Sequence, residues 1–217
     1  TLILKRDHDV LLADLKAAQD RSLRHVQSTI DREIHRAKKL ADKEFDVLSE
    51  GWTLLVKAFD AAETTATEWV KQLHKYTQAE LDRTFEQAEM KHWEIDELMA
   101  LHGDDRTEYF RRYEGYKRLN SYLEQRRALA GYLRINGIFM PDGMKERFEA
   151  LDRMIATCFY EFQGRLDSRG PVPVEYDQFA GVKALHKLGV QLRDELEALI
   201  RIRLWSAAAK GERSELG

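Results

Sequence analysis

The chain of 217 residues is 34% charged, 43% hydrophobic and 10% aromatic, with 35 basic residues against 38 acidic and a formal net charge of −3. An apolar fraction near the globular average excludes wholesale disorder, and one cysteine excludes a disulfide framework or a multi-cysteine metal site. Three prolines and twelve glycines are too few to punctuate a many-stranded sheet, and the charge balance is wrong for a generic nucleic-acid binder, so an all-α protein is expected.

Thr1-Leu2-Ile3-Leu4 followed by Lys5-Arg6 has two readings. It is an apolar first helical turn, or the cytoplasmic end of a membrane helix with basic residues just inside. No run nears the roughly 18 apolar residues of a spanning helix, and the short apolar stretch with nothing basic before it is not a signal peptide. The expected location is cytoplasmic, with the inner face of the membrane reached only through a segment ahead of Thr1.

From Asp7 to about Ala62 there is no proline, and the only glycine is Gly51. Apolar or small residues recur at Val26, Ile30, Ile34, Ala37, Ala41, Leu48, Leu55 and Phe59 in steps of mostly three, four and seven. That spacing predicts a coiled-coil-like or long amphipathic helix, about 90 Å long if unbroken. Up to Phe45 the seam is thin, with Ala where a strong zipper carries Leu. Residues 1–45 are therefore read as an extended stalk that needs a partner, and 46–217 as a helical body.

The body divides into about five helices. Glu63 to Glu68 is the first break, with a capping box of Thr65 and Glu68. A second helix carries Val70, Leu73, Leu81, Phe85, Ala88, Ile95 and Leu98 and ends at Gly103, a C′ glycine before Asp104 and Asp105. The third runs from Tyr109 to Leu133 and stops at Asn136-Gly137; the fourth opens at Pro141 as its N1 residue and ends near Leu166. Asp167 to Gln178, with Gly170, Pro171 and Pro173, is the one clear loop and is expected to be exposed to proteases. The fifth helix spans Leu185 to Ile202 and frays into a polar tail after Trp205. Residues 63–108 hold 12 acidic and 5 basic residues, and 109–136 hold 2 acidic and 7 basic, so the second and third helices should meet antiparallel with opposite charge.

Few residues promise chemistry. Glu89-x-x-His92 has the spacing of one half of a di-iron carboxylate site, but no second such motif exists, so it is read as a surface pair. Cys158, between Ile155 and Phe159, is read as a small buried hydrophobe. No glycine-rich phosphate loop, Gly-x-Ser-x-Gly elbow or His-Glu-x-x-His helix is present. Helical ribonucleases that leave four to six residues between Arg and His are not matched, since Arg21–His25 encloses three residues and Arg32–His35 two. No catalytic, cofactor-binding or metal residue is assigned, and no cofactor is expected.

The most basic patch is Arg21, Arg24, Arg32, Arg36, Lys38, Lys39 and Lys43, offset only by Asp31, Glu33 and Asp42. It reads first as a solvated coiled-coil face and second as a contact for anionic headgroups or nucleic acid. Aromatics are absent from it, which argues against single-strand stacking. Tyr109, Phe110, Tyr113, Tyr116 and Tyr122 form an aromatic stripe, read as core and core-edge packing.

Residues 133–144 carry a resemblance. Asn136 ending a long helix, the apolar Ile138-Phe139-Met140, and Pro141-Asp142 opening the next helix resemble a set of uncharacterised bacterial proteins. Those have an N-terminal membrane helix, a long charged coiled coil and a helical C-terminal body. Gly137 stands where they commonly have Arg. The resemblance implies a bacterial, membrane-anchored chain, and it carries over no catalytic residue, since that set has no established active site.

The reading is thus a non-enzymatic interaction or scaffold protein that associates through Ile30 and Ile34, as a homo-oligomer or with another helical protein, with nucleic acid an improbable partner. Two other readings stay open. One is a ligand-responsive or catalytic bundle with its site between the third, fourth and fifth helices, marked by a polar-lined cavity rather than a filled interior. The other is lipid or nucleic-acid contact through residues 21–43.

Overall fold

The structure, a computed structural model, describes residues 2–66, 73–168 and 180–214, with side chains over 15–65, at Leu73, and over 75–168 and 180–205. Among these, every regular element is helical: α1 (Leu2–Ala66), a 3-10 turn (Leu73–Lys75), α2 (Gln78–Gln87), α3 (His92–Ala100), α4 (Gly103–Asn136), a 3-10 turn (Gly137–Phe139), α5 (Asp142–Asp167), α6 (Ala180–Ala184), a π turn (Leu185–Gly189) and α7 (Val190–Ser214). The expected all-α architecture, a long first helix followed by packed helices, is what the chain adopts. It divides into two units, Thr1–Asp46 and Val47–Gly217.

The described part of the first unit is helix α1 alone. Its side chains from 15 to 43 are all exposed, and local hydrogen bonds run along it, such as Gln27 Nε2 to Asp31 and Thr29 Oγ1 to the His25 carbonyl.

The second unit has two apolar cores sharing one helix. The larger combines Leu48, Leu55 and Phe59 of α1 with Leu119, Tyr122 and Leu129 of α4, Phe148, Leu151 and Ile155 of α5, and Leu196 of α7. The smaller joins Leu73, Leu81 and Phe85 to Leu98 of α3 and Phe110 of α4. At 34 residues, α4 is about 50 Å long and runs past both. Cross-contacts fix α4 and α5 as antiparallel, because rising numbers on α4 meet falling numbers on α5. Gly115 faces Leu166, the Tyr122 hydroxyl donates to the Ile155 carbonyl, and Arg126 faces Asp152. The Tyr122 ring also packs edge-on against Phe159, centroids 5.4 Å apart.

Several expected boundaries move, each for a local reason. The second expected helix is broken into α2 and α3, because Glu89 adopts φ 54 at the C′ position of a Schellman motif. Glu89 N–H bonds the Glu86 carbonyl and Met90 N–H bonds the Phe85 carbonyl, closing the turn. Lys117 of α4 reaches this turn, donating to the Ala88 carbonyl at 3.0 Å and pairing with the Glu89 carboxylate. One ion pair between the expected acidic and basic segments is made there. Gly103 does carry positive φ (+55), but it opens α4, with Asp104 and Asp105 in the first turn where the helix dipole favours them.

Pro141 is the N-cap of α5 rather than its first helical residue. The helix expected to fray after Trp205 continues to Ser214. An unforeseen capping box opens α2, where Glu80 Oε2 accepts the Thr77 N–H at 2.8 Å. Glu68 and nearly all of the loop expected over Asp167–Gln178 lie outside the described residues.

Candidate functional site

The residues expected to mediate association are all on the surface. Leu23, Val26, Ile30 and Ile34 are 59%, 50%, 47% and 61% exposed, and Leu15, Leu40 and Phe45 are exposed with them. At 3.6 residues per turn, Leu23, Val26, Ile30, Ile34, Ala37 and Ala41 fall within about 40° of one line along α1. Arg21, Arg24, Arg32, Arg36 and Lys39 fall within about 60° of the opposite line, and Lys38 lies on a flank. Each of these cations is exposed. The seam and the basic patch, which interleave in the sequence, are therefore two opposite faces of one helix.

The other flagged residues separate. Glu89 sits in the turn after α2 and His92 opens α3, so they do not project from one continuous helix as their spacing suggested. Cys158 is buried, and burial pushes its thiol up to about 12. Asp152 and Arg126 approach to 4.0 Å at the rim of the larger core, and burial raises the Asp152 carboxyl above its ordinary value. The space between α4, α5 and α7, where a ligand site was the second expectation, is filled by Leu119, Tyr122, Ile155, Phe159, Phe162 and Leu196.

A cleft of about 550 Å³ lies instead between α3 and α4, lined by Trp93, Glu94 and Leu101 on one side and by Asp105, Glu108, Tyr109, Arg112, Tyr113 and Tyr116 on the other. Its walls are fixed by Arg106, whose guanidinium donates to the Leu101 and Met99 carbonyls at the end of α3. The aromatic stripe splits here by role. Phe110 and Tyr122 are core residues, while Tyr109, Tyr113 and Tyr116 are half-buried along the cleft.

All three hydroxyls are turned to protein partners. Tyr109 donates to Glu97 Oε2 at 2.9 Å, Tyr116 to Asp167 Oδ1 at 2.5 Å, and Tyr113 lies 3.5 Å from the Ala88 and Glu89 carbonyls. Burial and the neighbouring Glu97 raise the Tyr109 phenol to about 12. The stripe was legible from spacing; Trp93, which completes the cleft from another helix, carried no sequence signal that linked it to the stripe.

Among the described residues, no helix is long and apolar enough to cross a membrane, and no group of three or more His, Cys, Asp or Glu side chains is arranged to hold a metal. No protein-family model matches the chain, and no curated protein or solved structure is detectably similar to it.

Proposed function

We propose that the protein is a non-enzymatic helical interaction protein, associating with a second copy of itself through the apolar line of α1 centred on Ile30 and Ile34. The observation that carries this reading is the exposure of four aliphatic side chains, Leu23 to Ile34, at three- and four-residue steps on a helix whose described neighbours supply no cover. A lone helix draws little stability from propensity, so such a line is stabilised by burial against another helix. Burying a half-exposed aliphatic side chain contributes about 1 kcal/mol. A line of this kind is self-complementary about a two-fold axis, so a second copy of the same face covers it. The filled interior between α4, α5 and α7 also favours this reading over a ligand-responsive bundle.

Sedimentation equilibrium is the test. A dimer or higher oligomer at micromolar concentration supports the reading, and a chain that stays monomeric throughout overturns self-association.

A second reading is favoured by one specific observation, the placement of Arg21, Arg24, Arg32, Arg36 and Lys39 opposite the apolar line. Interfacial membrane helices carry Lys and Arg on the face opposite the apolar one, and α1 has that arrangement. Contact of the basic face alone with an anionic surface would be electrostatic, and compatible with pairing on the other face. Steep loss of vesicle binding between 50 and 200 mM salt, roughly the range over which such contacts are screened, distinguishes it.

A further inference from the structure

We propose that the cleft between α3 and α4 binds an organic cation of the alkylated-ammonium type, held against the rings of Trp93, Tyr109 and Tyr113 with Glu94 and Asp105 as counter-charges. This stands on observations separate from the α1 surface.

The lining selects the chemistry. Because the Tyr109 and Tyr116 hydroxyls are already donated to Glu97 and Asp167, the tyrosines offer ring surface to a ligand rather than donors. Ring faces carry negative quadrupole charge and attract cations, most strongly when Trp takes part. Trp93 is 55% exposed, a large apolar area left open at the mouth of the cleft.

The charged groups point the same way. Glu94 and Asp105 line the cleft. Glu108 accepts from Arg111 Nε and Nη2 and also faces Arg112, and within the lining the carboxylates Glu94, Asp105 and Glu108 outnumber the one cation, Arg112. Burial first, and then the nearby Glu97 and Glu94, hold the Tyr109 and Tyr113 phenols above their ordinary value. A compact alkylammonium needs both an aromatic seat and a nearby carboxylate, and the volume of about 550 Å³ leaves room for an attached apolar body.

The test is calorimetric titration of the whole chain with choline, with its neutral isostere 3,3-dimethylbutan-1-ol, and with benzoate as the anionic counterpart. Saturable choline binding, about threefold or more tighter than the neutral isostere, is expected. Trp93→Ala should weaken it by a similar factor, with circular dichroism confirming an unchanged helical content. Asp105→Asn should weaken choline and leave the neutral alcohol unaffected.

A short peptide carrying trimethyl-lysine forms a second arm. Tighter binding than choline identifies a protein side chain as the source of the cation, and weaker binding identifies a free small molecule. Equal affinity for the neutral isostere, preference for benzoate, or no saturable binding of either cation at tens of millimolar overturns the proposal.

Discussion

A Cβ placed on Gly115 would lie 2.5 Å from Leu166 Cδ2, so α4 and α5 cross where one side chain is missing and the other fills its space. Leu166 is 1% exposed, so any shift it makes presses on the larger core around it. Glycine is normally a cost inside a helix, about 1 kcal/mol relative to alanine. Here the close approach outweighs it. Gly115→Ala should therefore destabilise the protein by about 1–3 kcal/mol, as overpacking does. Gly131 on the same helix has nothing within 4 Å of its Cβ position, so Gly131→Ala should stabilise by about 0.5–1 kcal/mol. Urea denaturation of the two variants reads opposite signs; two changes of the same sign would contradict the crossing geometry.

Association through α1 should respond to charge placed on its apolar line. Ile30→Asp combined with Ile34→Asp should shift the chain to monomer in sedimentation while leaving the unfolding free energy of the body, residues 47–217, within about 0.5 kcal/mol in urea, because neither side chain belongs to its cores. Arg32→Glu combined with Arg36→Glu, on the opposite face, should leave the oligomer intact. Dissociation by the second pair alone would place the interface on the basic face.

Cys158 should behave as an inert thiol. With its thiol raised to about 12 by burial, the thiolate fraction at pH 8 is on the order of 10⁻⁴, and thiolate is the reactive form. Alkylation by iodoacetamide, followed by mass spectrometry, should be negligible in the folded protein and complete in urea. Rapid labelling under native conditions would mean that the face of α5 bearing Cys158 opens readily.

Acid should weaken the protein at identifiable contacts. Backbone and side-chain hydrogen bonds from Thr77 hold Glu80 below its ordinary value of 4.5, and the hydrogen bond from Lys117 does the same for Glu89. A depressed carboxyl contributes stability that is present above its unfolded value and lost as pH falls through its folded one. Both contributions are therefore present at neutral pH and disappear below about 4.5. Asp152 acts in the opposite sense, since burial raises its carboxyl and protonation relieves the cost as pH falls. Thermal melting against pH should show a shallower acid limb in Glu80→Gln and a steeper one in Asp152→Asn.

The sequence by itself determined the helical class, the run of α1 and the long α4 and α5, because three- and four-residue apolar spacing and a scarcity of proline act locally. It also placed Cys158 correctly in the apolar face of α5, since Ile155 and Phe159 on either side belong to that face. Tertiary structure decided what local rules cannot reach. The turn at Glu89 goes against residue preference, since glycine is the usual occupant of that conformation; Lys117, 28 residues away in sequence, closes it. The identity of Gly115 as a necessary glycine depends on Leu166, and that of Gly181 on Glu161, whose carboxylate accepts the Gly181 N–H at 2.7 Å and leaves no room for a Cβ. The aromatic cleft likewise depends on the packing of Leu98 of α3 with Phe110 of α4 and on Arg106, which ties the end of α3 to α4. Periodicity fixes which face of a helix is apolar; which residues share a cleft is fixed by the crossing of two helices, and that depends on side chains far apart in the chain.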